Sequence, residues 1–491
     1  MKIMRLVYSL VYVQNYRMAR RKISADTEHI EIEVHGMSSE GVSVGRADGV
    51  VYFVQGALPG ENVTARIRRR HRRYVEAEAV LLHSTSPVRV QPPCEHFGVC
   101  GGCSWQHCNY DEQVRWKHQQ VQDALQRIGG FHEVQYRVPI GSEHQYGYRN
   151  KMEFSFSSSA WLTTAEIESG REFDRSFALG LHVKGRFDKV RNISQCLIQG
   201  STANTLLSAV HSIPGLRSVP AYNQRSHEGF LRHLTIRTSR ASGAVLGILT
   251  TTTPQGDDEQ RIVNEFLGLL QLLPPDSGLL HTINDTRSPV ATGIITATAG
   301  RPFLEENVLG ITYRISPFSF FQTNSRQTEV LVQAALDAAG ITTQDVVWDL
   351  YCGTGSISLP AARQGRAVIG LELVQSAVTD ARQNAVLNKI TNAEFYALDL
   401  HSKGALASLA QYPKPDTLIV DPPRSGMHPQ IVEHISALRP PRVSYVSCNP
   451  ATLARDLAML QPLYSLEWVQ TIDMFPQTSH VEAVACLRLA D

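Results

Sequence analysis

The sequence predicts an α/β protein: a Rossmann-like parallel sheet in its C-terminal part, preceded by a β-rich middle region and a small OB-like N-terminal β-barrel. Three observations carry this expectation. Residues 31–86 alternate apolar and polar side chains between glycine turns, the pattern of short barrel strands. Strand-like segments dominate from 146 to about 303. Beyond 346, the runs VVWDL, VIGLE, FYALDL and TLIVD each close on an acid or carry one near their end, which points to a ligand site along the carboxyl edge of a parallel sheet.

At 491 residues with 43% hydrophobic content, the chain is long enough for about two to four domains. The expected divisions are an extension over 1–26, a barrel over 27–87, a middle region over 88–303 and the parallel sheet over 304–491. Met18 offers a second start, so residues 1–17 are a start-site artefact or a disordered extension. The net charge of +1 hides an asymmetry: residues 1–75 hold 13 Lys/Arg against 7 Asp/Glu, a net +6 that leaves −5 for the rest. No apolar run approaches the roughly 20 residues that span a bilayer. MRLVYSLVYV near the start is short and lacks an A-x-A cleavage site, so it is a poor signal peptide. A soluble cytoplasmic protein without membrane association is expected, and no obligate protein partner is evident. Its eight cysteines then sit in a reducing compartment, where metal binding or catalysis outweighs disulfides.

In the barrel region, RIRRRHRRY places six arginines in nine residues, from Arg66 to Tyr74. A charge run is often only a solvated face. A basic strand with an attached tyrosine on an OB-like barrel also suits phosphate contact and base stacking, and this reading is preferred. The segment 27–87 resembles a TRAM domain, the small RNA-binding barrel of RNA-modifying enzymes.

The middle region opens with PPCEHFGVCGGCSWQHC. Cys94, Cys100 and Cys103 have the spacing C-x5-C-x2-C, and Cys196 follows about ninety residues later. The glycines between Cys100 and Cys103 let the backbone wrap tightly around a cofactor, which favours an iron–sulfur cluster over structural zinc or independent buried thiols. Cys108 is a spare thiol and an alternative fourth ligand. Residues 111–129 read as an amphipathic helix. In YGYRNKMEFSF, Arg149 and Lys151 stand among aromatics, as an RNA contact or as part of an exposed sheet face.

DLYCGTG, residues 349–355, is a strand end followed by a glycine turn and a helix-like stretch. Glu372 closes a second strand, 19 residues beyond Gly353, where a carboxylate can hold two ribose hydroxyls. Asp399 and Asp421 close a third and a fourth. This arrangement is that of S-adenosylmethionine-dependent methyltransferases rather than of a dehydrogenase, whose second phosphate-binding glycine is absent. Amino methyltransferases follow their Asp-Pro-Pro with a stacking aromatic, but here Arg424 stands in that position.

Cys448 follows the strand RVSYVS and so belongs to the same edge, with a core cysteine as the lesser alternative. Uracil C5 is a poor nucleophile. A thiolate that adds at C6 generates an enolate with charge at C5, which can accept a methyl group; a base must then remove the C5 proton before the thiolate leaves. DMFPQTSHVEAVACLRL supplies His480 and Glu482 as bases, and an acid amid apolar residues acquires a raised pKa.

DLYCGTG, DPPRSG, SCNPATLARDL and DMFPQTSHVE together resemble the RNA uridine C5-methyltransferase family, class I methyltransferases that use S-adenosylmethionine. With the barrel and the cysteines, the resemblance spans nearly the whole chain from residue 27. It implies Cys448 as nucleophile and Glu482 as base, with Gln322, Tyr351, Glu372 and Asp421 as methyl-donor contacts and Asp399 as a further one. It also implies Cys94, Cys100, Cys103 and Cys196 as ligands of a [4Fe-4S] cluster. Tyr351 stands where Phe is frequent and Ser356 where Asn is frequent. Family members with both a TRAM domain and a cluster are mostly ribosomal RNA enzymes, which implies 23S rRNA as the substrate. A transfer-RNA m5U enzyme, an RNA m5C enzyme and a non-catalytic RNA-binding factor are the alternatives.

Overall fold

The computed structural model describes residues 28–186, 188–400, 409–410 and 412–490. The extension expected over 1–26, including Met18, lies outside the described residues. The chain forms two compact units. One holds the residues up to Trp116 with Leu162–Phe173 and Gln477–Ser479; the other holds Lys117–Trp161, Asp174–Pro476 and the residues from His480 on.

The first unit contains a closed barrel of His29–Met37, Ser43–Ala47, Val50–Gln55, Tyr74–Leu82 and Glu61–Arg70, in that order around the wall. The alternation in the sequence places Ile32, Val34, Tyr52, Val54, Val63, Val75 and Ala77 inside, and closure leaves no free sheet edge. Fully buried Glu61 anchors the chain that leaves the barrel, accepting from Arg89 Nε at 2.5 Å and from Ser86 N at 3.2 Å. Cys108 packs with Leu58 and Trp105, and burial pushes its thiol up to about 12. That is the setting of a packed thiol. The helix expected over 111–129 runs Tyr110–Arg127.

In the second unit, a seven-stranded sheet takes the order Ile294–Gly300, Gly278–Ile283, Val245–Thr251, Leu231–Thr238, Lys151–Ser157, Ala178–His182, Val190–Asn192. It is antiparallel except for the pair Val245–Thr251 and Gly278–Ile283. Lys151 pairs with Glu153 at 2.5 Å and Arg149 Nε donates to the Lys151 carbonyl at 3.0 Å, so these two cations have local partners.

The larger sheet carries the chemistry. Its eight strands take the order Ala393–Ala397, Ala367–Glu372, Val346–Leu350, Thr417–Val420, Arg442–Ser447, Glu482–Leu489, Tyr464–Ile472, Gln135–Tyr136. All run in one direction except Glu482–Leu489, which is antiparallel to both neighbours. Val346–Leu350 is buried along its whole length, as a parallel strand covered on both faces must be. Apolar clusters lie on the two sides, one around Trp348, Leu418, Tyr445 and Leu457, the other around Val347, Ile419, Val446 and Val484. Helix Ser325–Ala339 covers the second side, capped by the Asn324 side chain and ended by Gly340 in the left-handed conformation. No helix among the described residues is long and apolar enough to cross a membrane.

Candidate active site

The glycine turn leaves Val346–Leu350 under strain. Tyr351 has φ +67°, followed by Gly353 at +54° and Gly355 at +86°; a left-handed aromatic residue is unfavourable and persists only where its surroundings fix it. Here Tyr351 N and Cys352 N both donate to Leu371 O, at 2.9 and 3.0 Å. Glu372 accepts from Gly353 N at 3.1 Å and from Val374 N at 2.9 Å, so the acid of the second strand holds the turn of the first. Asp349 is 1% exposed and takes the Ser358 hydroxyl at 2.5 Å. Burial, with Asp421 and Glu372 adding to it, pushes its carboxyl up to about 7. Asp349 Oδ1 and Tyr351 Oη are buried with no hydrogen-bond partner among the described residues. Orphaned polar atoms on this edge fit a polar ligand such as the methionine end of S-adenosylmethionine.

Of the other expected donor contacts, Asp421 stands one residue beyond Thr417–Val420, and burial pushes its carboxyl up to about 7. Gln322 is partly buried, and its carbonyl accepts from Asn150 Nδ2 at 3.0 Å. Asp399 is exposed, two residues past Ala393–Ala397.

Strand register accounts for the meeting of Cys448 and Glu482. Ser447 pairs with Ala483 across the antiparallel ladder, so the next step sets Cys448 against Glu482. Glu482 therefore opens its strand rather than ending it, as the sequence suggested. It is 4% exposed, and burial drives its carboxyl well above the ordinary range, with Asp421 reinforcing this and Arg424 opposing it. Cys448 is a free, partly buried thiol. Burial, then Glu482 and Asp421, push it up to about 11 against the pull of Arg424. Cys448 alkylation by iodoacetamide should thus accelerate about tenfold per pH unit from 7 past 9, with Arg424→Gln slower at every pH. A plateau by pH 9 in a peptide-resolved rate measurement would contradict a desolvated thiol.

Asn449 and Thr452 explain the residues after the cysteine. Asn449 caps helix Pro450–Leu460 by accepting from Ala451 N at 3.1 Å, and its Nδ2 donates to Arg424 O at 2.9 Å. Thr452 Oγ1 donates to the same carbonyl at 3.3 Å. The DPPRSG loop is thereby fastened beside the thiol. Gly426 (φ +75°) is obligatory there, since a Cβ would lie 2.5 Å from Arg455 and 2.7 Å from Asp456. Arg424, which the sequence marked only as a missing aromatic, has Nη2 3.2 Å from His480 Nδ1 and 3.5 Å from Nε2. Burial and the nearby cations Arg424, Lys117 and Arg149 push His480 down to about 4. The segment leading to Glu482 is fixed by a buried ion pair: Lys117 Nζ lies 2.6 Å from Asp473 Oδ1 and donates to Phe475 O at 3.0 Å, while Phe475 N donates to Asp473 Oδ1 at 2.9 Å.

The basic run is not one strand. Arg66–Arg70 end one strand, His71–Arg73 turn, and Tyr74 begins the next. Arg66 and Arg68 share Glu78 at 2.8 and 2.6 Å, and Arg70 pairs with Glu28. Arg69, Arg72 and Arg73 are exposed, and His71 stacks on Tyr74 with centroids 4.3 Å apart.

Cys94, Cys100, Cys103 and Cys196 are partly buried. Gly102 N donates to Cys100 Sγ at 3.3 Å, the kind of bond that tunes a cluster thiolate, and burial raises the Cys94 thiol. Cys196 is held by Asn204, which accepts from its N at 2.9 Å and donates to its O at 3.0 Å. Among the described residues, no three His, Cys, Asp or Glu side chains form a metal-holding group.

A parallel sheet with one reversed strand, a strained glycine turn and an acid beside it define an S-adenosylmethionine-dependent methyltransferase. Residues 303–489 match the family tRNA (Uracil-5-)-methyltransferase, and residues 27–80 match the TRAM domain. An uncharacterized RNA methyltransferase of Bacteroides thetaiotaomicron is 40% identical over 455 residues, 92% of this chain and all of that one. Another from Chlorobaculum tepidum is 38% identical over 474 residues, 95% of each chain. Among solved structures, Pyrococcus abyssi tRNA (uracil-54, C5)-methyltransferase in complex with S-adenosyl-L-homocysteine aligns with a TM-score of 0.71 and 27% identity, over 93% of this chain and all of that one. The chain belongs to the RNA uracil-5-methyltransferase family and is an S-adenosylmethionine-dependent RNA methyltransferase with a TRAM domain.

Proposed function

We propose that the protein methylates C5 of a uridine in structured RNA through a covalent adduct at Cys448, in the cytoplasm. The observation that carries this is the register that sets a thiol against a buried carboxyl at the edge where the glycine turn and Glu372 meet. The Cys448 thiolate, its proton released to solvent, adds to C6 of an unstacked uracil and the electron pair moves through C5 to O4. C5 then takes the methyl group from the sulfonium and leaves S-adenosylhomocysteine. Glu482 accepts the C5 proton, and the C6–S bond breaks to restore the ring. Glu482 suits the task better than His480 does, since burial strengthens a carboxylate as a base while the cations around His480 weaken it. Glu372, Tyr351, Asp421, Gln322 and Asp399 would hold the methyl donor. Arg424, the one cation beside the thiol among the described residues, would favour its ionised form and the enolate.

The RNA is read as 23S rRNA, by resemblance to enzymes that carry both a TRAM domain and a cluster. Transfer RNA is the second reading, favoured by the Pyrococcus abyssi enzyme and its full-length alignment. Labelled S-adenosylmethionine with 23S rRNA and tRNA from a deletion strain, followed by nucleoside analysis, distinguishes the readings: m5U in one pool, m5C, or no product. Exposed Phe320, two residues before Gln322, offers an aromatic face to a displaced base.

Arg69, Arg72 and Arg73, exposed at the barrel tip, are read as its phosphate contacts. Replacing all three by Ala should weaken RNA binding and lower its salt slope by about one unit per lost contact at most. Turnover at saturating RNA should change far less. Unchanged affinity and slope in a salt titration would leave the run a solvated face.

Cys94, Cys100, Cys103 and Cys196 would hold a [4Fe-4S] cluster, which would supply a structural clamp with a redox-active centre. Anaerobically purified protein is expected to be brown, with broad absorption near about 400 nm from thiolate-to-iron charge transfer. Cys100→Ser should lose that absorption and much of the soluble yield. A colourless protein with one zinc and no iron would overturn the assignment.

A further inference from the structure

Asp380, Asn384 and Asn388 stand four residues apart on helix Gln375–Leu387 and its C-cap, and all three reach one neighbouring segment. Asn388 takes both backbone groups of Thr312, accepting from its N at 2.9 Å and donating to its O at 2.7 Å. Asn384, fully buried, accepts from Arg314 N at 2.8 Å. Asp380 accepts from Ser316 Oγ at 2.8 Å and from Ser319 Oγ. Four helical residues rise about 6 Å and two strand residues about 6.8 Å, so the rungs meet 312, 314 and 316 nearly in step.

The ladder joins two parts of the site. At its middle, Asn384 Nδ2 donates to Thr354 O at 3.4 Å and the Tyr313 hydroxyl donates to Ser356 O at 3.2 Å, so both fix carbonyls of the glycine turn. At its end, Asp380 grips the turn closed by Ser319 N donating to Ser316 O, whose Ser319 carbonyl also accepts from buried Arg237. Phe320 and Gln322 follow at once. Asp380 is 7% exposed and spends both oxygens on serine hydroxyls. Desolvating a carboxylate is costly, and apolar side chains would fill the space more favourably. Packing alone therefore does not account for it.

We propose that this ladder is a positioning device that fixes the methyl-donor loop and the segment 320–322 in one register, with Asp380 a positioning residue for methyl transfer. The inference rests on the reading of Cys448 and Gln322 given above. Its test compares Asp380→Ala, Asp380→Asn and the double variant Ser316→Ala/Ser319→Ala in the full-length enzyme. Affinity for S-adenosylmethionine is measured by calorimetry, and kcat and KM with RNA.

Asp380→Ala should lower kcat about tenfold or more, the scale of a small misplacement of reacting groups, with any loss of methyl-donor affinity smaller than the loss of kcat. The double serine variant should match it, and keeps the test open if Asp380→Ala does not fold. Asp380→Asn retains an acceptor and the shape, and should recover most of kcat. The proposal is overturned if kcat stays within about twofold in the alanine variants, if methyl-donor affinity falls in parallel with kcat, or if Asp380→Asn is as impaired as Asp380→Ala. Adduct formation by the wild-type enzyme with 5-fluorouridine RNA separately tests the Cys448 reading. Its absence would sink that reading and leave the Asp380 comparison legible.

Discussion

Replacing Glu482 by Gln is expected to trap the enzyme on its RNA, whereas Cys448→Ala should abolish methylation and form no adduct at all. The two residues meet through the Ser447–Ala483 register, and in the proposed mechanism they act at opposite ends of the reaction. Without addition at C6, C5 never becomes nucleophilic, so the alanine variant should lose essentially all turnover. The glutamine variant keeps the shape of the side chain and permits addition and methyl transfer, yet has no site for the C5 proton. A denaturing gel with labelled RNA should therefore show a slow-migrating band for Glu482→Gln and none for Cys448→Ala. A glutamine variant that turns over at near wild-type rate without a band would remove Glu482 as the base and bring His480 forward.

The second large effect concerns Lys117 and Asp473, whose side chains are 0% and 1% exposed. Lys117→Met fills similar volume but leaves Asp473 buried without the ammonium 2.6 Å away, and breaking a buried pair in this way costs about 3–5 kcal/mol. A thermal midpoint several degrees lower is expected. Replacing both partners, Lys117→Met with Asp473→Leu, should recover much of that loss, since the uncompensated charge goes with them. If the single variant melts with the wild type, the pair is not a keystone of the 473–476 segment.

Much of the architecture was legible because its signals are local. Acids at strand ends, the glycine turn after Asp349 and the alternation of the barrel depend on neighbours in sequence, and the corresponding elements formed within a few residues of expectation. The reversal of Glu482–Leu489 was not legible: direction within a sheet is a property of partners, and EAVACLRL reads the same either way. The fate of the arginines was equally hidden. Which of six basic residues are neutralised depends on Glu78 across the barrel wall and on Glu28 beyond it. Lys117 looked like one more charge on an amphipathic helix, and only the distant Asp473 makes it a buried partner. The left-handed Tyr351 could not be foreseen either, because its conformation is enforced by Leu371 from the adjacent strand.

The reversed strand has a consequence for how the protein is made. Arg442–Ser447 can gain its last neighbour only when the hairpin of Tyr464–Ile472 and Glu482–Leu489 docks, and until then an almost entirely buried strand shows an open apolar edge. The docking step is also what brings the carboxyl to the thiol. On the proposed mechanism, a chain caught before it would carry the cysteine and the glycine turn without its base.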